Sequence, residues 1–242
     1  MSTYQSWYQP DLAYIHDLGF GELALKSAPA IIAMLRQRKL NQGLIVDLGC
    51  GSGLSAQRFI QANYQVLGID MSPSMIELAK TRVPSAEFRV ESLFQAEIPP
   101  CVAVTSVGEC LNYLFDQGNS LQALANLGDR IYQALIPGGL FIFDVLQPMA
   151  TVKTQGFKEG KDWIVIYEKD ENFHQKTLSR RIITLRKEGS YYRREEETHQ
   201  VCLYEPLEIK ALLEQIGFQV QTQSNYGEFQ LSEAHTVFIA SK

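Results

Sequence analysis

The chain has 242 residues, 45% of them hydrophobic and 20% charged, a balance ordinary for a soluble globular protein that argues against a disordered chain. With 22 basic against 27 acidic side chains the net charge is −5, which argues against nucleic-acid binding as the main role and leaves room only for a local basic patch. The length admits one large α/β domain or two small ones. The four cysteines, Cys50, Cys101, Cys110 and Cys202, form no C-x-x-C pair and no Cys/His spacing suited to zinc. No metal and no disulfide framework are therefore expected, only reduced thiols. No apolar run approaches the ~18 residues of a spanning helix, and residues 1–40 show no basic leader followed by an apolar core. The expectation is a cytoplasmic protein without a membrane partner.

Residues 1–20 are rich in aromatics, among them Tyr4, Trp7, Tyr8, Tyr14 and Phe20, together with His16. Pro10-Asp11 marks a short helix start, and the segment reads as a cover over a site or, alternatively, as a cap on the core. Ile31, Ile32, Met34 and Leu35 recur at helical spacing between Ala24 and Lys39, and Asn41-Gln42-Gly43 is expected to close that helix.

The run Ile45-Val46-Asp47-Leu48 then ends in Gly49-Cys50-Gly51-Ser52-Gly53, a buried strand, a tight loop and the start of a helix. Glycines take positive φ freely and let a ligand approach the backbone closely. A second strand, Gln65–Asp70, again ends in an acid, and Ser72-Pro73 are placed as N-cap and first residue of the next helix. Two such units in a row predict parallel pairing with right-handed crossovers. Asp70 falls about twenty residues beyond the glycine loop, where nucleotide-binding units place a carboxylate on ribose hydroxyls.

Further strands are expected at Glu87–Val90, Cys101–Val107 and Leu140–Val145, the last nearly all apolar as an interior parallel strand should be. A helix over Leu121–Leu135 ends at Pro137-Gly138-Gly139. From Trp163 the period changes to that of an antiparallel meander, with strands at Trp163–Glu168, Lys176–Arg186 and Tyr191–Leu203. Its charges, Arg180, Arg181, Arg186, Arg193, Arg194 and Glu195-Glu196-Glu197, read as cross-strand ion pairs on a solvated face. A last helix through Leu207 and Ile216, capped by Gly217, precedes strands at Phe218–Thr222 and Thr236–Ala240.

The glycine spacing is G-x-G-x-G, and Leu54 stands where a dinucleotide fingerprint wants its third glycine. That disfavours an NAD-type oxidoreductase and suits a nucleoside without phosphates. Val46–Gly53 resembles motif I of the class I S-adenosylmethionine-dependent methyltransferases, and the likeness continues through Gly68–Ser72, Leu111–Leu114 and Leu135–Leu140. The resemblance implies an α/β, Rossmann-like, doubly wound and mostly parallel seven-stranded sheet, with a helical lid over residues 1–22 and an antiparallel insertion over 160–203, all in one domain spanning 1–242.

It also implies site roles. Gly49 and Gly51 would lie against the methionine portion of S-adenosylmethionine, with the Gly49 carbonyl taking its ammonium, Cys50 and Gly53 in the same loop, and Asp47 supporting it. Asp70 would accept both ribose hydroxyls, Met71 would pack on the adenine, and Ser92 and Leu93 would border that ring. Val107 and Gly108 would pass under the sulfur, and Tyr8 would stand near the cofactor carboxylate. The product would be S-adenosylhomocysteine. Methyl transfer from a sulfonium is an in-line displacement that needs no obligatory base. Where the acceptor must lose a proton, Glu109 or His16 is the candidate base. Tyr14, Asn112, Tyr113 and His199 are candidate substrate contacts. The expected partner is a small-molecule acceptor, the expected state a monomer or homodimer, and the alternative a module that binds the cofactor without catalysis.

Overall fold

The structure is a computed structural model and describes residues 7–116, 118–149 and 153–242; Tyr4 lies outside them. Five strands run parallel: β1 (Gly43–Leu48), β2 (Tyr64–Asp70), β3 (Glu87–Val90), β4 (Cys101–Ser106) and β5 (Leu135–Leu146). Strand β13 (His235–Ser241) pairs antiparallel with both β5 and β10 (Gln219–Gln223), giving a seven-stranded sheet in the order β10-β13-β5-β4-β1-β2-β3, and the short hairpin of β11 (Asn225–Tyr226) and β12 (Phe229–Gln230) lies between β10 and β13 in the chain. The order reverses at β1 and β4, and a crevice opens beyond the carboxyl ends of those strands, as in other open α/β sheets.

Alternate residues of the strands feed two cores. On one face Val46, Leu48, Val104, Phe141 and Phe143 pack under α5 (Leu121–Ala134) and α6 (Pro206–Ile216). On the other Ile45, Val66, Ala103 and Ile142 pack under α2 (Glu22–Gln37), α3 (Leu54–Gln61) and α4 (Pro73–Arg82). Burial on both faces explains why these strands read as continuous apolar runs. The helix starts are chemically explicit: Ser72 Oγ accepts the N–H of Met75 at 3.2 Å ahead of Pro73, and Ser120 Oγ accepts that of Ala123 at 3.1 Å.

Two boundaries differ from expectation. Helix α2 closes not at Asn41-Gln42-Gly43 but at Lys39, which takes φ +63° while the N–H of Leu40 reaches back to the carbonyl of Leu35 at 3.0 Å. Gly43, at φ +125°, instead opens β1. Strand β5 begins at Leu135, ahead of Leu140, because Pro137-Gly138-Gly139 is carried inside the strand as an irregularity. Between the pairs Cys101↔Leu135 and Ala103↔Leu140, two steps along β4 are matched by five along β5, and Gly138 absorbs the excess at φ +81°.

The meander lies between β5 and α6 and has four strands, the three expected ones, β7 (Trp163–Asn172), β8 (Thr177–Glu188) and β9 (Tyr191–Cys202), preceded by β6 (Lys153–Glu159). Strand β6 is exposed along most of its length, so it carries no apolar signature in the sequence. One face of the meander holds α1 (Pro10–Gly19), whose Ile15 packs on Trp163 and Val165. The Arg193 guanidinium forks onto the buried Asp11 carboxylate at 2.6 and 2.8 Å, and Glu197 accepts the backbone N–H groups of Tyr8 and Gln9 at 2.9 and 2.8 Å. The N-terminal segment is thus latched to the meander, and between them and the sheet lies a cavity. No single helix among the described residues is long and apolar enough to cross a membrane.

Candidate active site

The loop after β1 is built on positive φ at Gly49 (+76°), Gly51 (+51°) and Gly53 (+78°), conformations that carry little cost only without a Cβ. Each glycine answers a different need. A Cβ on Gly49 would overlap the Cys110 thiol, which occupies that space. A Cβ on Gly51 would meet no protein atom within 4 Å, so a side chain there would stand in the cavity. Gly53 packs on Ala79 and Phe88 and turns the chain into α3 without reaching the cavity, which removes it from direct contact with a ligand.

Asp47 and Asp70 close the end of the loop. Asp47 is buried, accepts the Thr105 hydroxyl at 2.7 Å, and is pushed up to about 6 by burial. Asp70 Oδ2 accepts the N–H of Gly51 at 3.0 Å and its Oδ1 that of Ser72 at 2.8 Å. Burial raises its pKa, while those two backbone bonds pull the other way. A carboxylate has about four acceptor sites. One backbone donor on each oxygen therefore fixes the group and leaves capacity on both oxygens.

These residues line a cavity of about 430 Å³, within the usual range for small-molecule sites. Asp47, Gly49, Cys50 and Gly51 form one end with Asp70 and Met71, and Leu93, Val107 and Gly108 continue the wall. Ser92 stands behind it. Its hydroxyl donates to Asp116 Oδ2 at 2.6 Å, and Asp116 is the group that faces the cavity. The carboxylate on this wall thus comes from 24 residues further along the chain than Ser92.

The far end is formed by the loop after β4, the lid and the meander. Gly108 and Glu109 both take positive φ, +95° and +58°, and their N–H groups converge on the buried Asp144 carboxylate at 2.9 Å each, which also accepts the Tyr226 hydroxyl at 2.9 Å. Desolvation raises the Asp144 pKa. This anchor aims Glu109 into the cavity, where it forms an ion pair with Arg180 from β8. Tyr8 and Tyr113 share a hydroxyl–hydroxyl bond of 2.9 Å, and Arg180 Nη1 lies 3.4 Å from the Tyr113 hydroxyl. Burial raises both phenol pKa values. His16 lines the same wall between Tyr8 and Phe20, and desolvation lowers its pKa to about 4.

Three expected substrate contacts are elsewhere. Tyr14 turns away to Asp162, 3.2 Å from its hydroxyl, with the Arg186 guanidinium 3.2 Å above its ring. The Asn112 amide is consumed by backbone: it donates to the carbonyls of Leu146 and Cys202 at 3.1 and 2.6 Å and accepts the N–H of Leu146 at 3.0 Å. Fully buried, it joins the loop after β4 to β5 and β9. His199 is also fully buried, with Nε2 2.8 Å from Glu197, and sits behind Tyr8, Tyr113 and Phe115 rather than on the cavity. Conversely, Val165, Tyr167, Lys169, Arg180 and Ile182 of the meander do line it. Their signal was the period of two in β7 and β8, which puts alternate residues on one face.

This combination of topology, glycine loop and carboxylate-rimmed cavity is similar to that of the class I S-adenosylmethionine-dependent methyltransferases. The residues present fit that cofactor: Gly51 leaves space that a side chain would fill, and Asp70 holds free acceptor capacity beside it. A methyltransferase-domain family model matches residues 45–139. A putative methyltransferase of Geobacillus sp. (strain WCH70) is 25% identical over 90% of each chain. Trans-aconitate 2-methyltransferase of Paracidovorax citrulli is 39% identical over 40% of this chain and 36% of its own. Among solved structures, an S-adenosylmethionine-dependent methyltransferase from Clostridium acetobutylicum superposes with a TM-score of 0.80 at 16% identity, covering 95% of this chain and 96% of that one. The amino pentose methyltransferase CalS10 from Micromonospora echinaspora, with S-adenosylmethionine bound, gives 0.76 at 15% identity over 94% and 95%.

Proposed function

We propose that the methyl acceptor is a small molecule held between the lid and the meander, at the end of the cavity remote from the glycine loop. The observation that carries this reading is the continuity of the cavity. It runs from Asp70 and Gly51 at the glycine loop to Tyr8, His16 and Arg180 between the lid and the meander. Asp70 accepts the ribose hydroxyls, Met71 and Leu93 border the adenine, and Asp116, steadied by Ser92, accepts its amino group. The Gly49 carbonyl takes the methionine ammonium, Val107 and Gly108 pass beneath the sulfur, and Tyr8 stands near the carboxylate.

S-adenosylmethionine supplies an electrophilic methyl on its sulfonium. The chain's own part is to hold a nucleophile in line with it and exclude water. Tyr8, Tyr113 and Phe20 provide the dry walls. Glu109 is committed to Arg180, and His16 is neutral at pH 7, so His16 is the group left to accept a hydrogen bond or proton from the nucleophile. The relatives' names include trans-aconitate 2-methyltransferase, a ubiquinone biosynthesis O-methyltransferase and an amino-sugar N,N-dimethyltransferase, so they do not select oxygen or nitrogen. Four free cysteines suit a cytoplasmic setting.

Calorimetric titration with S-adenosylmethionine, S-adenosylhomocysteine and NAD tests the reading. Binding of the first two and not the third is expected. Binding of NAD alone, or of none at millimolar concentration, overturns it.

A further inference from the structure

Lys169 of β7 and Arg180 of β8 are direct cross-strand partners, and both face the cavity. Two cations so placed repel each other unless anions separate them. One anion is present: Glu109 pairs with Arg180. Lys169 makes no ion pair among the described residues, and its ammonium lies 5.6 Å from the centre of the Tyr167 ring. The trio of Lys169, Arg180 and Glu109 therefore keeps a formal charge of +1 beside a partly enclosed cavity.

Such a charge is costly to desolvate unless it is paired. The Lys169 pKa accordingly sits below its ordinary value, through burial first and then the nearby Arg180, with Glu109 opposing. The remaining carboxylates of the cavity, Asp47, Asp70 and Asp116, lie toward the glycine-loop end and repel anions there. Capacity for an anion is thus concentrated on the meander wall.

We propose that Lys169 and Arg180 form an anion seat for the methyl acceptor, and that the acceptor class is a small organic acid or phosphorylated metabolite held by its carboxylate or phosphate. This rests on the methyl-transfer reading above. The same chemistry is also offered by the carboxylate of the cofactor itself, and the test separates the two sources.

The protein saturated with S-adenosylhomocysteine is titrated with small carboxylates, phosphate monoesters and their uncharged methyl esters or parent alcohols, read by thermal shift and calorimetry. Wild type is expected to be stabilised by at least one anion and not by its uncharged counterpart. Lys169→Gln should weaken that anion more than tenfold, Lys169→Arg should restore it to within about threefold, and affinity for S-adenosylhomocysteine should stay unchanged in both. Circular dichroism checks that the variants fold. The seat is overturned if uncharged analogues bind as well as the acids or if no anion in the panel stabilises the complex. It is equally overturned if Lys169→Gln weakens S-adenosylhomocysteine tenfold, which would give the pair to the cofactor carboxylate. Failure of Lys169→Arg to restore binding would also refute it, since an arginine keeps the charge. Failure of S-adenosylhomocysteine to bind wild type is a different outcome and removes the methyl-transfer reading instead.

Discussion

Replacement of Asp70 by alanine is the perturbation with the most calculable consequence. The carboxylate is held by the N–H groups of Gly51 and Ser72 at 3.0 and 2.8 Å, so it is oriented before any ligand arrives. Two hydrogen bonds from ribose hydroxyls to a charged acceptor contribute roughly 1.5 kcal/mol each at the low end of the usual range. Their loss of about 3 kcal/mol corresponds to a Kd about 100-fold or more weaker. Helix α4 keeps its Ser72 cap in the variant, so the fold is expected to persist by circular dichroism. Calorimetry with S-adenosylhomocysteine at pH 7.5 reads the effect. Because the group binds in its ionised form and burial raises its pKa, wild-type affinity should also fall as the pH is lowered into the acid range. A Kd within threefold of wild type in Asp70→Ala would refute the ribose assignment.

The two glycines that face the site should separate stability from binding. Gly49→Ala must adopt φ +76° and displace Cys110, and should lower stability by about 2–5 kcal/mol in urea unfolding. Gly51→Ala meets open space, so it should cost only about 1–2 kcal/mol from its backbone conformation while weakening S-adenosylhomocysteine markedly. For His16 the folded pKa of about 4 lies below the ordinary 6.5. As pH falls from 6.5 to 4 the unfolded chain takes up the proton first and wild type loses stability across that window; His16→Phe should show a shallower decline of Tm, and parallel curves would contradict the assignment. Glu197→Ala removes the acceptor for the Tyr8 and Gln9 N–H groups and the partner of His199. Hydrogen exchange at those two amides should accelerate at least tenfold, and unchanged protection would show that the lid is held otherwise.

The parallel half of the fold was legible because each of its elements carries its own local signal. The apolar runs ending in Asp47 and Asp70, the Ser72-Pro73 helix start and the alternate glycines are all read within a few residues. The glycine-loop end of the cavity followed from them. What escaped was what only tertiary proximity creates. Ser92, expected on the wall, stands behind it and donates to Asp116 at 2.6 Å, a contact that no local pattern announces, and Asp116 is the residue on the cavity. Asn112 and His199 have the chemistry of substrate contacts, but burial assigns the first to joining backbones and the second to supporting an aromatic wall. The meander charges were read as a solvated face. That holds for Arg181, paired with Glu168 and Glu196 at the surface. Arg180, one residue away, points to the opposite face and into the cavity. A single step in a strand reverses the role of a side chain, and only the fold shows which face is wet.

The activity proposed for this chain is methyl transfer from S-adenosylmethionine to a small molecule. The most direct measurement is incubation of the protein with methyl-labelled S-adenosylmethionine and a protein-free metabolite extract, followed by chromatography of the small molecules. Label appearing in a small-molecule product with wild type, together with S-adenosylhomocysteine, and sharply reduced with Asp70→Ala is the predicted result. Tight binding of S-adenosylmethionine with no label transferred to any small molecule would contradict it and leave a binding module in its place.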